Sequence, residues 1–193
     1  MGLSILILGL VVFLATHVFV TFRGARASLM ERLGVGYRVL FGLVAIIGLA
    51  LIIWGYGHYR TEGLITVWSP PAFMRHITVG LMLIAVIVFT SYFVPSHIKM
   101  WAKHPMLTGI KTWAFAHLLV NGDFGSILLF GSFLAWAVYA RIAAKRRGDL
   151  GATAAPDGWG NDIILVVLGA VIFFVLGRYF HPYVIGAPVF TGA

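Results

Sequence analysis

The chain has 193 residues, 61% of them apolar and 10% charged, with a mean hydropathy of +0.98 and a formal net charge of +8. Soluble domains usually carry about 25% charged residues, so soluble, disordered and nucleic-acid-binding classes are excluded, and the positive charge reads as a membrane topology signal. The absence of cysteine excludes disulfides, thiolate metal sites and covalent c-type haem attachment.

A spanning helix needs about 20 mostly apolar residues. Six segments approach or reach that length, at 2–22, 37–57, 73–94, 106–121, 124–143 and 163–181. The first outruns the ~7–15-residue core of a signal peptide and has no basic residue before Arg23, so it is read as a retained helix. The fourth is short and carries Lys111 within it. Gly34, Gly36, Ser69-Pro70-Pro71, Pro95, Pro105, Asn121-Gly122-Asp123 and the stretch 148–160 mark the breaks. In lipid, backbone polar groups are satisfied only within helices or closed barrels, and these runs are too long for barrel strands. The expected fold is therefore all-α: a polytopic transmembrane helical bundle of about six spans, with residues 1–193 forming one transmembrane domain.

Lysine and arginine set the orientation. Arg23, Arg26, Arg32 and Arg38 follow the first span, Lys99, Lys103 and Lys111 surround the third connection, and Arg141, Lys145, Arg146 and Arg147 follow the fifth span. These alternate connections hold eleven of the fourteen basic residues, leaving Arg60, Arg75 and Arg178 for the opposite side. With six spans, both termini lie outside and the basic loops face the cytoplasm.

All six acids (Glu31, Glu62, Asp123, Asp149, Asp157, Asp162) fall in connections or at span ends. That argues against a carboxylate-bridged di-iron site and an acidic proton relay. Phosphate-binding and serine-hydrolase motifs are also absent. Histidine is the exception. His58, His97, His104 and His181 sit at helix ends or loops, where a wet imidazole costs little, and His76 opens the third span. His17 and His117 lie inside apolar runs, LVVFLATHVFVTF and TWAFAHLLVN, and an imidazole there needs a partner. A carbonyl across a helix interface is the plain alternative.

A structural zinc would need two further ligands that the spans do not offer. A b-type haem needs one or two axial histidines, an apolar slot and a basic rim for its propionates. Phe13 and Thr21 share the helix face of His17, and Trp113 and Asn121 that of His117, at four-residue offsets. The aromatic rings suit a porphyrin flank, and Thr21 or Asn121 can orient an imidazole through water. Arg23, Arg26 and Lys111 are the candidate propionate contacts, and His104 either caps the fourth span or touches a propionate. At about 1.5 Å per residue, His17 lies ~8 Å above Phe22 and His117 ~16 Å above Met106, so depth leaves both His17–His117 and His76–His117 open.

The block HPMLTGIKTWAFAHLLVNGD, with His104, Pro105, Gly109, Trp113, His117, Asn121, Gly122 and Asp123, resembles the signature of the NnrU family. The first helix with His17, then RGARASLMERLG and GYRVLFGLVA, is similar to the start of that family. The resemblance implies a bacterial inner-membrane protein associated with denitrification and linked to nitrite and nitric oxide reductases. It also implies kinship with plant zeta-carotene isomerase, a membrane haem-b enzyme, whose axial histidines carry over by motif to His17 and His117. The plant motif has a cysteine three residues before the second histidine, where this chain has Ala114. The same block resembles membrane isoprenylcysteine-type methyltransferases, but Lys103 replaces their arginine and only Arg178 and His181 stand near the end where further charged residues are expected.

The expectation is a haem-b protein of the NnrU type, embedded in the bilayer and ligated by His17 and His117, that senses nitric oxide, transfers electrons or assists partner reductases. Alternative readings are a haem-dependent cis–trans isomerase of a lipid-soluble polyene, a methyltransferase-like protein, and an accessory protein without haem. Whether the chain is catalytic stays open at this point.

Overall fold

A computed structural model of the protein describes residues 1–190. Among the described residues there are eight α-helices: α1 (Gly2–Phe19), α2 (Arg23–Leu33), α3 (Val35–Glu62), α4 (Met74–Thr90), α5 (His97–Ala102), α6 (Pro105–Leu118), α7 (Phe124–Arg146) and α8 (Gly160–Val175). A π-helical continuation, Leu176–Ile185, extends α8. No strand forms among the described residues, and the β-type pairing consists of an isolated bridge between Thr66 and Asp123. The fold is thus all-α, as composition and periodicity require.

Each of the six apolar segments coincides with a helix. Four helical stretches are long and apolar enough to cross a membrane: Gly2–Phe19, Val35–Glu62, Phe124–Arg146 and Gly160–Ile185. Helix α4, with 17 residues, is a shorter apolar helix, and α6 has 14, about 21 Å at 1.5 Å per residue against a hydrocarbon core of about 30 Å. Two helices, α2 and α5, form inside connections read as breaks. Helix α2 ends at Gly34, whose φ of +52° suits glycine, and α3 begins at the next residue.

The chain divides into two compact units, Met1–Trp68 with Gly122–Trp136, and Ser69–Asn121 with the chain from Ala137 onward. In the first unit α1 packs antiparallel on α3, and glycines let the backbones touch. A Cβ on Gly9 would lie 2.6 Å from the Ile52 nitrogen, and one on Gly55 would lie 2.3 Å from the Leu6 nitrogen. Glu62 closes this pair by accepting from the Gly2 amide at 2.9 Å. Ile46 and Ile53, on the outer surface of α3, are about two-thirds exposed, as suits a hydrocarbon solvent.

Residues 65–68 pair with the turn before α7. Gly122 O accepts from the amides of Val67 and Trp68, and Ile65 O accepts from that of Phe124. Asp123 then caps α7, its Oδ1 accepting from the Ser126 amide at 2.9 Å. The Asn-Gly-Asp stretch read as a turn therefore also starts the next helix.

In the second unit α4 packs on α6 and α8. Gly109 seats against Phe89 and Gly169 against Ile87, while Thr78 Oγ1 donates to Ala116 O at 3.1 Å. The buried Asp162 carboxylate, in the first turn of α8, accepts from the His97 Nδ1–H at 2.8 Å and from the amides of His97 and Ile98. This fixes α5 to the start of α8.

Candidate functional site

The two histidines within apolar runs stand in different units, His17 in the first and His117 in the second. Their local geometries match. His17 Nδ1 lies 2.7 Å from Phe13 O, and His117 Nδ1 lies 2.9 Å from Trp113 O, the carbonyl one helical turn earlier in each case. A carbonyl only accepts, so Nδ1 carries the hydrogen in both rings. In the neutral imidazole the lone pair then resides on Nε2, the arrangement by which backbone carbonyls orient metal-binding histidines.

Around His17 the walls are aromatic. Phe13 stacks on the imidazole at 4.1 Å between ring centroids, and Phe41 and Trp136 each stand at 5.5 Å, Trp136 edge-on. Thr16 Oγ1 donates to Phe13 O and sits 3.2 Å from His17 Nδ1. Thr21, expected to orient the imidazole through water, donates to Val18 O at 2.7 Å. Three buried donor atoms of this unit have no hydrogen-bond partner among the described residues: Arg26 Nε, Tyr37 Oη and Trp136 Nε1. Tyr37 and Trp136 were not foreseen. Their only sequence signal is an aromatic residue in an apolar run, which is ordinary packing in most helices. Arg23 is exposed on the first turn of α2.

Around His117, Trp113 lies 5.3 Å away between ring centroids and His181 lies 6.2 Å away with the rings inclined by 28°. His181, expected at a helix end, sits in the π-helical continuation, and π-helical turns are frequent at functional sites. Asn121 donates from Nδ2 to His117 O at 2.8 Å and so closes the end of α6 through the backbone. Ala114 is fully buried, and its methyl group offers no exchangeable ligand. Lys111 is half-buried on α6.

The remaining histidines divide clearly. His76 is exposed near the start of α4. His104 occupies the N-cap position of α6 without a side-chain capping bond, and its Nε2 lies 3.3 Å from Asp149 O. It ties the loop after α7 to α6, aided by the Ala152 amide donating to Lys103 O. His97 is held by Asp162 and stacked on Trp159 at 4.1 Å. Among the described residues, no three His, Asp or Glu side chains cluster as a metal site would require.

A family model described as NnrU protein matches residues 5–189, running through both units. No curated protein and no solved structure matches the chain.

Proposed function

The chain belongs to the NnrU family, and from that premise we propose that it is a multi-pass protein of the bacterial inner membrane that binds one haem b, which His17 and His117 would hold. One observation carries the reading. Both imidazoles donate Nδ1–H to the carbonyl four residues earlier, which leaves the lone pair on each Nε2, the nitrogen that would bind iron. Packing alone would ask only that each ring find some partner.

The donor set of the first unit suits the group. Propionates are acceptors only, and Arg26 Nε and Trp136 Nε1 are buried donors without a partner among the described residues. Arg26 and Trp136 would hold the propionates, with Arg23 and Lys111 adding positive charge at the rim, and Phe13, Phe41 and Trp113 would flank the ring. His104 is a further candidate for a propionate. A bound haem b supplies an iron that changes oxidation state and takes diatomic ligands such as nitric oxide. The protein would hold the imidazoles in one tautomer and exclude water with apolar walls. A sensing, redox or accessory role beside nitrite and nitric oxide reductases follows from this chemistry. In the same reading all six apolar helices cross the bilayer, with both termini outside and the basic loops inside.

The test is the absorption spectrum of the detergent-purified protein, oxidised and then reduced. A Soret band that is lost in His17→Ala and in His117→Ala but kept in His76→Ala supports the assignment. A protein without a Soret band is an accessory protein whose histidines join helices.

A further inference from the structure

In the second unit, the connection from α4 to α6 borders a groove of about 300 Å³. Its lining divides by chemistry: Lys99, Lys103 and His104 are basic, Pro105, Met106 and Leu107 are apolar, and no acidic side chain takes part. Lys99 Nζ donates to Tyr92 O at 2.7 Å and lies 5.7 Å from the Tyr92 ring centroid. Tyr92 lines the groove, so this ammonium stands at its wall with two of its three donors still to place. Among the described residues, no carboxylate pairs with Lys99 or Lys103. The acid that reaches this connection is Asp149, whose Oδ1 is 3.9 Å from His104 Nε2 and also accepts from the Gly151 amide. Lys103 is held in an unusual backbone state, with φ +59° and ψ −53°. The His104 amide donates to Ala102 O at 2.6 Å across it, which makes a γ-turn of the rare, strained kind. Glycine would adopt that state without steric cost, and strained residues gather at ligand sites.

We propose that this groove binds an anionic phospholipid, with Lys99 and Lys103 receiving the phosphate and Pro105, Met106 and Leu107 taking the start of the acyl chains. The two kinds of lining residue select that occupant together. A soluble phosphate would leave the apolar residues bare, and a hydrocarbon tail would leave two ammonium groups unmet. A zwitterionic headgroup brings a cation of its own, for which the lining holds no acid. The depth also fits, because the groove lies between the end of apolar α4 and the start of α6. Tyr92 and Trp101 are exposed in the same connection, and such rings settle at the headgroup level of a bilayer. Further positive charge lies close by along the chain. Ala152, a few residues past Lys145, Arg146 and Arg147, donates its amide to Lys103 O. The inference uses no haem and stands whether or not the chain holds one.

The experiment titrates the full chain in detergent with dioleoylphosphatidylglycerol or dioleoylphosphatidylcholine, read by native mass spectrometry and by thermal unfolding. Wild-type protein retains one phosphatidylglycerol about tenfold more tightly than phosphatidylcholine, the scale on which one or two lysines favour an anionic lipid. Lys103→Gly lowers that preference yet unfolds no earlier than wild type, because the glycine relieves the turn as it removes the charge. Lys99→Gln combined with Lys103→Gly abolishes the preference. Arg178→Gln removes an exposed charge outside the groove and keeps the preference, which separates a site from net charge. Glycerol 3-phosphate, which has the charge without the chains, does not displace the lipid. Equal retention of the two lipids by wild type overturns the proposal, as does a preference that survives the double variant. An equal loss in Arg178→Gln, or displacement by glycerol 3-phosphate, overturns it too. None of these measurements reads haem, so their failure is separate from an absent Soret band.

Discussion

The Nδ1 atom of His17 lies 2.7 Å from the carbonyl oxygen of Phe13, and that single contact fixes which imidazole nitrogen faces outward. His117 repeats the contact with Trp113 at 2.9 Å. Nitrogen-15 NMR of selectively labelled, haem-free protein should therefore find both rings as the Nδ1–H tautomer when neutral. Either ring protonated on Nε2 instead would remove the common geometry on which the proposed ligation rests.

Glycines at the α1–α3 contact make a sharp internal comparison. A Cβ at Gly55 would meet the Leu6 nitrogen at 2.3 Å, whereas one at Gly57, two residues on, would meet nothing within 4 Å. Gly55→Ala should lower stability by about 1–3 kcal/mol through overpacking. Gly57→Ala should be neutral or stabilising by up to about 1 kcal/mol. Unfolding in mixed micelles measures both, and equal effects would contradict the packing described.

Asp162 holds three donors at once, from the His97 side chain and the amides of His97 and Ile98. Asp162→Ala should destabilise the protein by about 1.5–3 kcal/mol, the scale of hydrogen bonds to a charged group. His97→Ala should cost less, because both amide bonds to the carboxylate survive. Thermal unfolding of the two variants gives the order, and the reverse order would show that the carboxylate is not the anchor.

The unmet indole of Trp136 yields a reversal of sign. Without haem, Trp136→Phe removes a buried N–H with no partner among the described residues and should leave stability unchanged or slightly raised. With haem bound, the same change should speed haem transfer to apomyoglobin by roughly tenfold, one hydrogen bond's worth. Unchanged transfer in both Trp136→Phe and Arg26→Leu would take these residues out of the propionate contact.

Much of the architecture is legible in the sequence because membrane helices announce themselves by length and apolarity. Each apolar segment is a helix, and the shortness of the fourth shows in the 14 residues of α6. The Asn121-Gly122-Asp123 turn is equally readable, since Gly122 stands where a Cβ would strike Trp68 O. Helix α2 escapes notice because its arginines read as a topology signal and mask its helical character. The clasp of His97 by Asp162 joins residues 65 positions apart, which no local pattern can reveal. His181 beside His117 depends on a π-helical stretch containing Pro182, a residue that ordinarily signals a helix end. Cavities and unmet donors are properties of packing, so Tyr37 and Trp136 emerge only in three dimensions.

The most direct measurement is the haem content and optical spectrum of the purified full-length protein beside its His17→Ala and His117→Ala variants. The account predicts one haem b per chain, with a Soret band and the sharp visible bands of bis-histidine ligation on reduction, lost or converted in both variants. A purified chain without haem, or variants whose spectra match the wild type, would contradict it.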